Sequence, residues 1–95
     1  MHATLELFQV SLLRRLYDAC LRDPSAMPDF RELMEDHASK LGETWYHETY
    51  EDFVALDLLD PRASGEAFGP TPFGRLSAQG RWFVESMDIE PDEIA

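Results

Sequence analysis

A chain of 95 residues with 44% apolar content, six Phe, three Tyr and two Trp has material for one small core and no room for a second domain. Its 19 acidic and 8 basic side chains leave a net charge of −11 and a pI near 4.4, which repels nucleic acid and anionic membrane surfaces at long range and favours basic partners. The single cysteine, Cys20, excludes an internal disulfide and an all-cysteine metal site.

All the fixed cations except Lys40 are arginines, a skew that a GC-rich genome or a high-salt proteome produces without reference to function. In a halophile, surface acidity is a general solubility device. Glu6, Arg14 and Arg15 interrupt the first apolar segment, so neither a signal peptide nor a membrane span is expected, and the cytoplasm is the default compartment.

Leu5, Phe8, Leu12, Leu16 and Ala19 recur at three- and four-residue steps, with Leu13 and Cys20 flanking, which predicts an amphipathic helix over about residues 4–22. Asp23-Pro24 ends it. Leu7, Val10, Tyr17 and Leu21 fall on the opposite side around Arg14, so this helix is apolar on two sides. The second side is expected to meet the last helix or a second copy of the chain.

Asp29 and Glu32 read as a capping box that opens a second helix over about 29–41, with Phe30, Leu33, Met34, Ala38 and Leu41 as its buried stripe. Gly42 then reads as a left-handed stop. Thr44 is expected to cap a third helix over about 44–57, whose apolar arc collects Trp45, Tyr46, Tyr50, Phe53, Val54 and Leu56. His47, Glu48, Glu51, Asp52 and Ala55 share the other arc. The short link between the two helices has the spacing of a helix-turn-helix.

Leu58-Leu59 begins an extended segment, the run from Asp60 to Glu66 is rich in turn formers, and Ala67-Phe68 reads as a return strand, which makes a short hairpin over 58–69. Thr71-Pro72 is a strong helix start, since the hydroxyl caps and proline suits the first helical position. Phe73, Leu76, Gly80, Phe83, Val84 and Met87 then predict a last helix over about 71–87. Gly74 and Gly80 would each weaken that helix by roughly 1 kcal/mol relative to Ala unless they permit close packing. The chain therefore reads as one mainly α domain over 1–87 with a short β-hairpin, followed by an acidic tail over 88–95 that is expected to be flexible.

The run from Tyr50 to Pro61, then Gly65-Glu-Ala-Phe, then Pro70-Thr-Pro-Phe-Gly-Arg, resembles winged-helix regulators of the broad PadR-like and MarR-like kind. The likeness covers about residues 29–86. In those proteins the recognition helix ends in a Gly-Leu-Leu or Gly-Leu-Val turn, a wing hairpin follows, and a Leu-Thr-Pro-x-Gly element opens the last helix. Asp57 stands where that turn usually has glycine, and Pro70 stands where Leu is usual. The resemblance implies that the exposed arc of the third helix reads bases and that the wing contacts phosphate. The matching positions here are His47, Glu48, Glu51 and Asp52 on the helix, with Arg62, Ser64 and Glu66 on the wing, and Arg62 is the one fixed cation among them.

Catalysis finds little support. His47 and Glu51 lie four apart on one face, as helical metal ligands do, but no His-Glu-x-x-His pattern accompanies them, so a solvated or partner-binding face is the better reading and no metal or other cofactor is expected. Acidic neighbours of Cys20 oppose a thiolate, and no serine elbow, phosphate-cradling loop or dinucleotide fingerprint is present.

Two functions from different classes follow. The first is a small non-catalytic winged-helix module that binds a protein with a basic surface through His47, Glu48, Glu51, Asp52, Arg75 and Trp82. One version of it is a phage-type inhibitor that imitates DNA. The alternative is a DNA-binding winged-helix regulator from an organism with an acidic proteome, using Thr44, His47, Arg62 and Ser64. A homodimer is expected to use Leu7, Val10, Tyr17, Leu21 and Trp82, since Trp and Arg are the residue types that anchor interfaces.

Overall fold

A computed structural model describes residues 5–65 and 72–87. The described chain is mainly helical, with α1 over Leu7–Arg22, α2 over Phe30–Leu33, α3 over Glu43–Ala55 and α4 over Ala78–Met87, and a 3₁₀ turn over Glu35–His37. Between α3 and α4 the pairing consists of isolated antiparallel bridges, with no longer ladder among the described residues. Leu12, Leu13 and Leu16 of α1 pack with Phe30, Met34, Tyr46, Phe53, Leu58, Leu59, Leu76 and Val84 in one core.

α1 starts later than the apolar spacing suggests. Glu6 is its cap residue, and the Gln9 side chain accepts from the Glu6 backbone N–H at 2.8 Å. Gln9 is itself buried, and its Nε2 donates to Thr49 Oγ1 at 3.1 Å and to Asp52 Oδ2 at 2.9 Å. One polar side chain thereby closes the start of α1 and ties it to the middle of α3.

The second helix is much shorter than the expected 29–41. Asp29 caps it as the sequence suggests, its Oδ1 accepting from the N–H groups of Arg31 and Glu32. The α-helix then stops at Met34, whose φ of −108° and ψ of 23° lie outside the helical basin. Arg15 is the physical reason. Its Nη1 donates to the Leu33 carbonyl at 2.7 Å, and the guanidinium forks onto both oxygens of Asp36, so the chain after Leu33 answers to α1 and tightens into a 3₁₀ turn.

Gly42 is extended, with φ −75° and ψ 161°, and forms the cap of α3 instead of a left-handed stop, while Thr44 sits inside the helix. The left-handed residue is Asp57, with φ 60°. The Asp57 N–H donates to the Val54 carbonyl at 3.1 Å and the Leu58 N–H to the Phe53 carbonyl at 2.9 Å, the two bonds of a Schellman stop, with Leu58 and Phe53 both in the core. Asp57 therefore stands in the left-handed position that the resemblance assigns to glycine.

The largest correction concerns the last helix. Residues 72–77 are extended. Phe73 exchanges two backbone hydrogen bonds with Gly65, the Phe30 N–H donates to the Pro72 carbonyl, the Gly74 N–H to the Pro28 carbonyl, and the Asp60 N–H to the Arg75 carbonyl. Leu59 pairs with Leu76 in the same antiparallel sense. The return segment after Leu58 is thus 72–77, and the return strand expected at Ala67-Phe68 lies outside the described residues.

α4 opens six residues after the expected place, on Ser77, whose Oγ accepts from the Gly80 N–H at 3.0 Å and donates to the Asp57 carbonyl at 2.6 Å. The run Leu76-Ser-Ala-Gln-Gly-Arg supplies leucine, a hydroxyl cap and glycine at the offsets of the Leu-Thr-Pro-x-Gly element. The helix start expected at Thr71-Pro72 is thus replaced by one at Ser77.

Gly80 sits against the backbone of Leu58. A Cβ there would lie 2.2 Å from the Leu58 carbonyl oxygen. Helix propensity alone favours Gly80→Ala by about 1 kcal/mol, but the obstacle is backbone and has no room to yield, so we expect a net loss of about 2 kcal/mol in urea unfolding. A gain would contradict this packing. Asp57→Gly should act in the other direction, raising stability by about 1 kcal/mol in the same assay, because glycine adopts the left-handed conformation without a Cβ penalty.

Candidate interaction surface

α3 presents its solvent side over an arc of about 140° at 100° per residue. That arc carries Glu43, Thr44, His47, Glu48, Glu51, Val54 and Ala55, all exposed except His47, which is half-buried. Three carboxylates and no Lys or Arg occupy it. The opposite side holds Tyr46, Thr49 and Phe53, fully or almost fully buried against the core.

Asp52 lies at the edge of the arc and turns inward to Gln9, so it is a tie between α1 and α3 as well as a surface charge. Glu48 and Glu51 are the two acids of the group that stand clear of the core. Glu32, Glu35 and Asp36, exposed on α2 and the following turn, extend the acidic character beyond α3.

The cations fall elsewhere. Arg14 pairs with Asp18 at 3.4 Å and lies over the Tyr17 ring. Arg15 is committed to Leu33 and Asp36. Arg75 lies in the extended segment before α4, not on the helix, and its guanidinium donates to the Pro24 carbonyl and to Asp60 Oδ2. The Asp60 carboxyl is held below the usual carboxylate range by the Arg62 amide first and then by Arg75. Arg62 is exposed on the turn after Asp60, whereas the Ser64 hydroxyl is half-buried and accepts from the Arg75 N–H at 3.4 Å. The four residues proposed for DNA contact therefore divide between α3 and this turn, with Ser64 engaged by its own chain.

Of the residues expected at a dimer contact, Val10 is buried in the monomer and Tyr17 is half-buried, its hydroxyl donating to Glu85 Oε2 of α4 at 2.8 Å. That bond to a carboxylate is the first cause that raises the Tyr17 hydroxyl above its ordinary value. α1 and α4 thus meet each other along part of the side that the sequence left open. Leu7, Leu21 and Trp82 stay exposed, with Trp82 at 61%.

Sequence reading passed over Gln9, which has no motif around it. It also missed the convergence of Cys20, Arg75 and Arg81, which line one pocket although they are far apart in the chain. Among the described residues no group of three or more His, Cys, Asp or Glu is placed to hold a metal ion, and no helix is long and apolar enough to cross a membrane. No protein-family model matches the chain, and no curated protein or solved structure matches it either.

Asp36 gives the surface a pH signature. The Arg15 hydrogen bond holds its carboxyl below the ordinary aspartate value. A carboxylate whose folded pKa is depressed contributes stability above the unfolded value and loses it as pH falls through the folded one. Wild type should therefore melt higher than Asp36→Asn near neutral pH, with the gap closing as pH drops below about 4, as read by thermal unfolding. A gap independent of pH would sink this assignment.

Proposed function

We propose that the chain is a small non-catalytic interaction module of winged-helix-like build that docks a protein with a basic surface through the exposed arc of α3. The observation that carries this reading is the composition of that arc, with Glu43, Glu48 and Glu51 exposed on it and no fixed cation among them. Duplex DNA is held chiefly by neutralising its phosphates, and three carboxylates on the face that would enter the groove oppose that at close range as well as through the net charge. The winged-helix part of the proposal rests on the order of α2, α3, antiparallel bridges and α4, on the left-handed turn at Asp57, and on the match of Leu76 to Gly80 with the helix-opening element.

The same order favours the second reading, a DNA-binding regulator whose acidity belongs to its proteome. Fluorescence anisotropy with a random duplex at low salt separates the two. No binding at micromolar protein is expected, and binding that weakens steeply with added salt would establish the second reading instead. The first reading is tested with a labelled oligolysine peptide. Glu48→Gln with Glu51→Gln should weaken its binding several-fold more than the charge-matched pair Glu32→Gln with Glu35→Gln, and equal losses would show that only net charge attracts the peptide.

A further inference from the structure

We propose that this chain binds a small organic anion, an oxyanion head on an apolar body, in the pocket between the end of α1, the turn at Asp60 and the start of α4. The pocket has a volume of about 450 Å³, within the range of small-molecule sites. Two of its lining residues are arginines, Arg75 and Arg81, in a chain with net charge −11. Cys20, Pro24, Pro61 and Leu76 supply walls of carbon and sulfur. That mixture suits an amphiphilic anion better than a bare inorganic ion, which leaves the apolar wall unused.

Arg75 is immobilised before any ligand arrives. Its guanidinium is pinned by the Pro24 carbonyl and Asp60 Oδ2, and these contacts use only part of its donor set. Such preorganisation lowers the entropy lost on binding. Asp60 offsets much of the charge of Arg75, so Arg81, exposed on the first turns of α4, carries the net positive charge of the site. Guanidinium groups recognise carboxylate and phosphate through paired, charge-assisted hydrogen bonds, which is the oxyanion chemistry the pocket is equipped for.

Cys20 is the only cysteine, is half-buried and lines this pocket, so it reports occupancy. The test is the rate at which a thiol reagent modifies it in the intact chain, with benzoate, phenyl phosphate or neutral benzyl alcohol added at matched ionic strength. At least one anion should slow the reaction about tenfold in a saturable manner while benzyl alcohol does not, and Arg81→Gln should weaken that protection about tenfold with the melting temperature unchanged. Protection by benzoate alone assigns a carboxylate head, and by phenyl phosphate alone a phosphate head. Equal protection by benzyl alcohol, equal protection in Arg81→Gln, or none with either anion overturns the proposal. Calorimetric titration with the same compounds reads the binding directly, and absence of anion-specific heat would overturn it equally.

Discussion

The carbonyl of Leu58 is the point on which the arrangement of this chain turns. It accepts from the Ser77 N–H at 3.0 Å, and Gly80 packs against it so closely that no side chain fits between. The neighbouring Asp57 carbonyl accepts from the Ser77 hydroxyl, which also caps α4. The end of α3, the antiparallel pairing and the beginning of α4 are therefore joined through four residues. Leu58 adds its buried side chain, so the junction is held by packing and by backbone hydrogen bonds together. Where α4 starts is decided there, and the position of the pocket beside it follows.

The acidic arc of α3 depends on the same logic from the other side. Gln9 spans from the start of α1 to Thr49 and Asp52, and the aromatic groups Tyr46 and Phe53 face the core, so the helix has one orientation left for Glu43, Glu48 and Glu51. Arg15 does similar service for α2, since its fork onto Asp36 and its bond to the Leu33 carbonyl bend the chain into the turn that leads to α3. The cations of α1 and of the 72–77 segment are largely spent within the fold. What remains on the third helix is negative, and this separation of charge gives the proposed partner its chemistry.

Much of the frame was legible in the residues. The apolar spacing of α1, the Asp29 cap and the extended start at Leu58 appear where local periodicity and cap chemistry place them, and so does the apolar arc of α3 except for Val54, which was expected inside and lies exposed beside Glu51. The acids of the α3 arc were legible for the same reason, because one helical period sorts buried from exposed. Gln9 was not, since a buried glutamine that bridges two helices leaves no local pattern. Nor was the pocket, which gathers Cys20, Arg75 and Arg81 from segments about sixty residues apart in the chain through contacts that no short-range rule describes.

By itself the sequence determined an acidic, mainly helical chain, since composition and 3.6-residue periodicity act locally and need no partner. Beside the strong opening at Thr71-Pro-Phe-Gly-Arg it contained Ser77-Ala-Gln-Gly-Arg, which lacks the proline but also has a hydroxyl followed three residues later by glycine. Only the tertiary structure chose between them. An opening at Thr71 would take residues 72–77 out of their bonds with Pro28, Phe30, Asp60 and Gly65, whereas opening at Ser77 keeps those bonds and seats Gly80 on Leu58. A different tertiary contact shortened α2, because the guanidinium of Arg15 competes for the chain beyond Leu33 from another helix, an influence that cap and propensity rules do not contain.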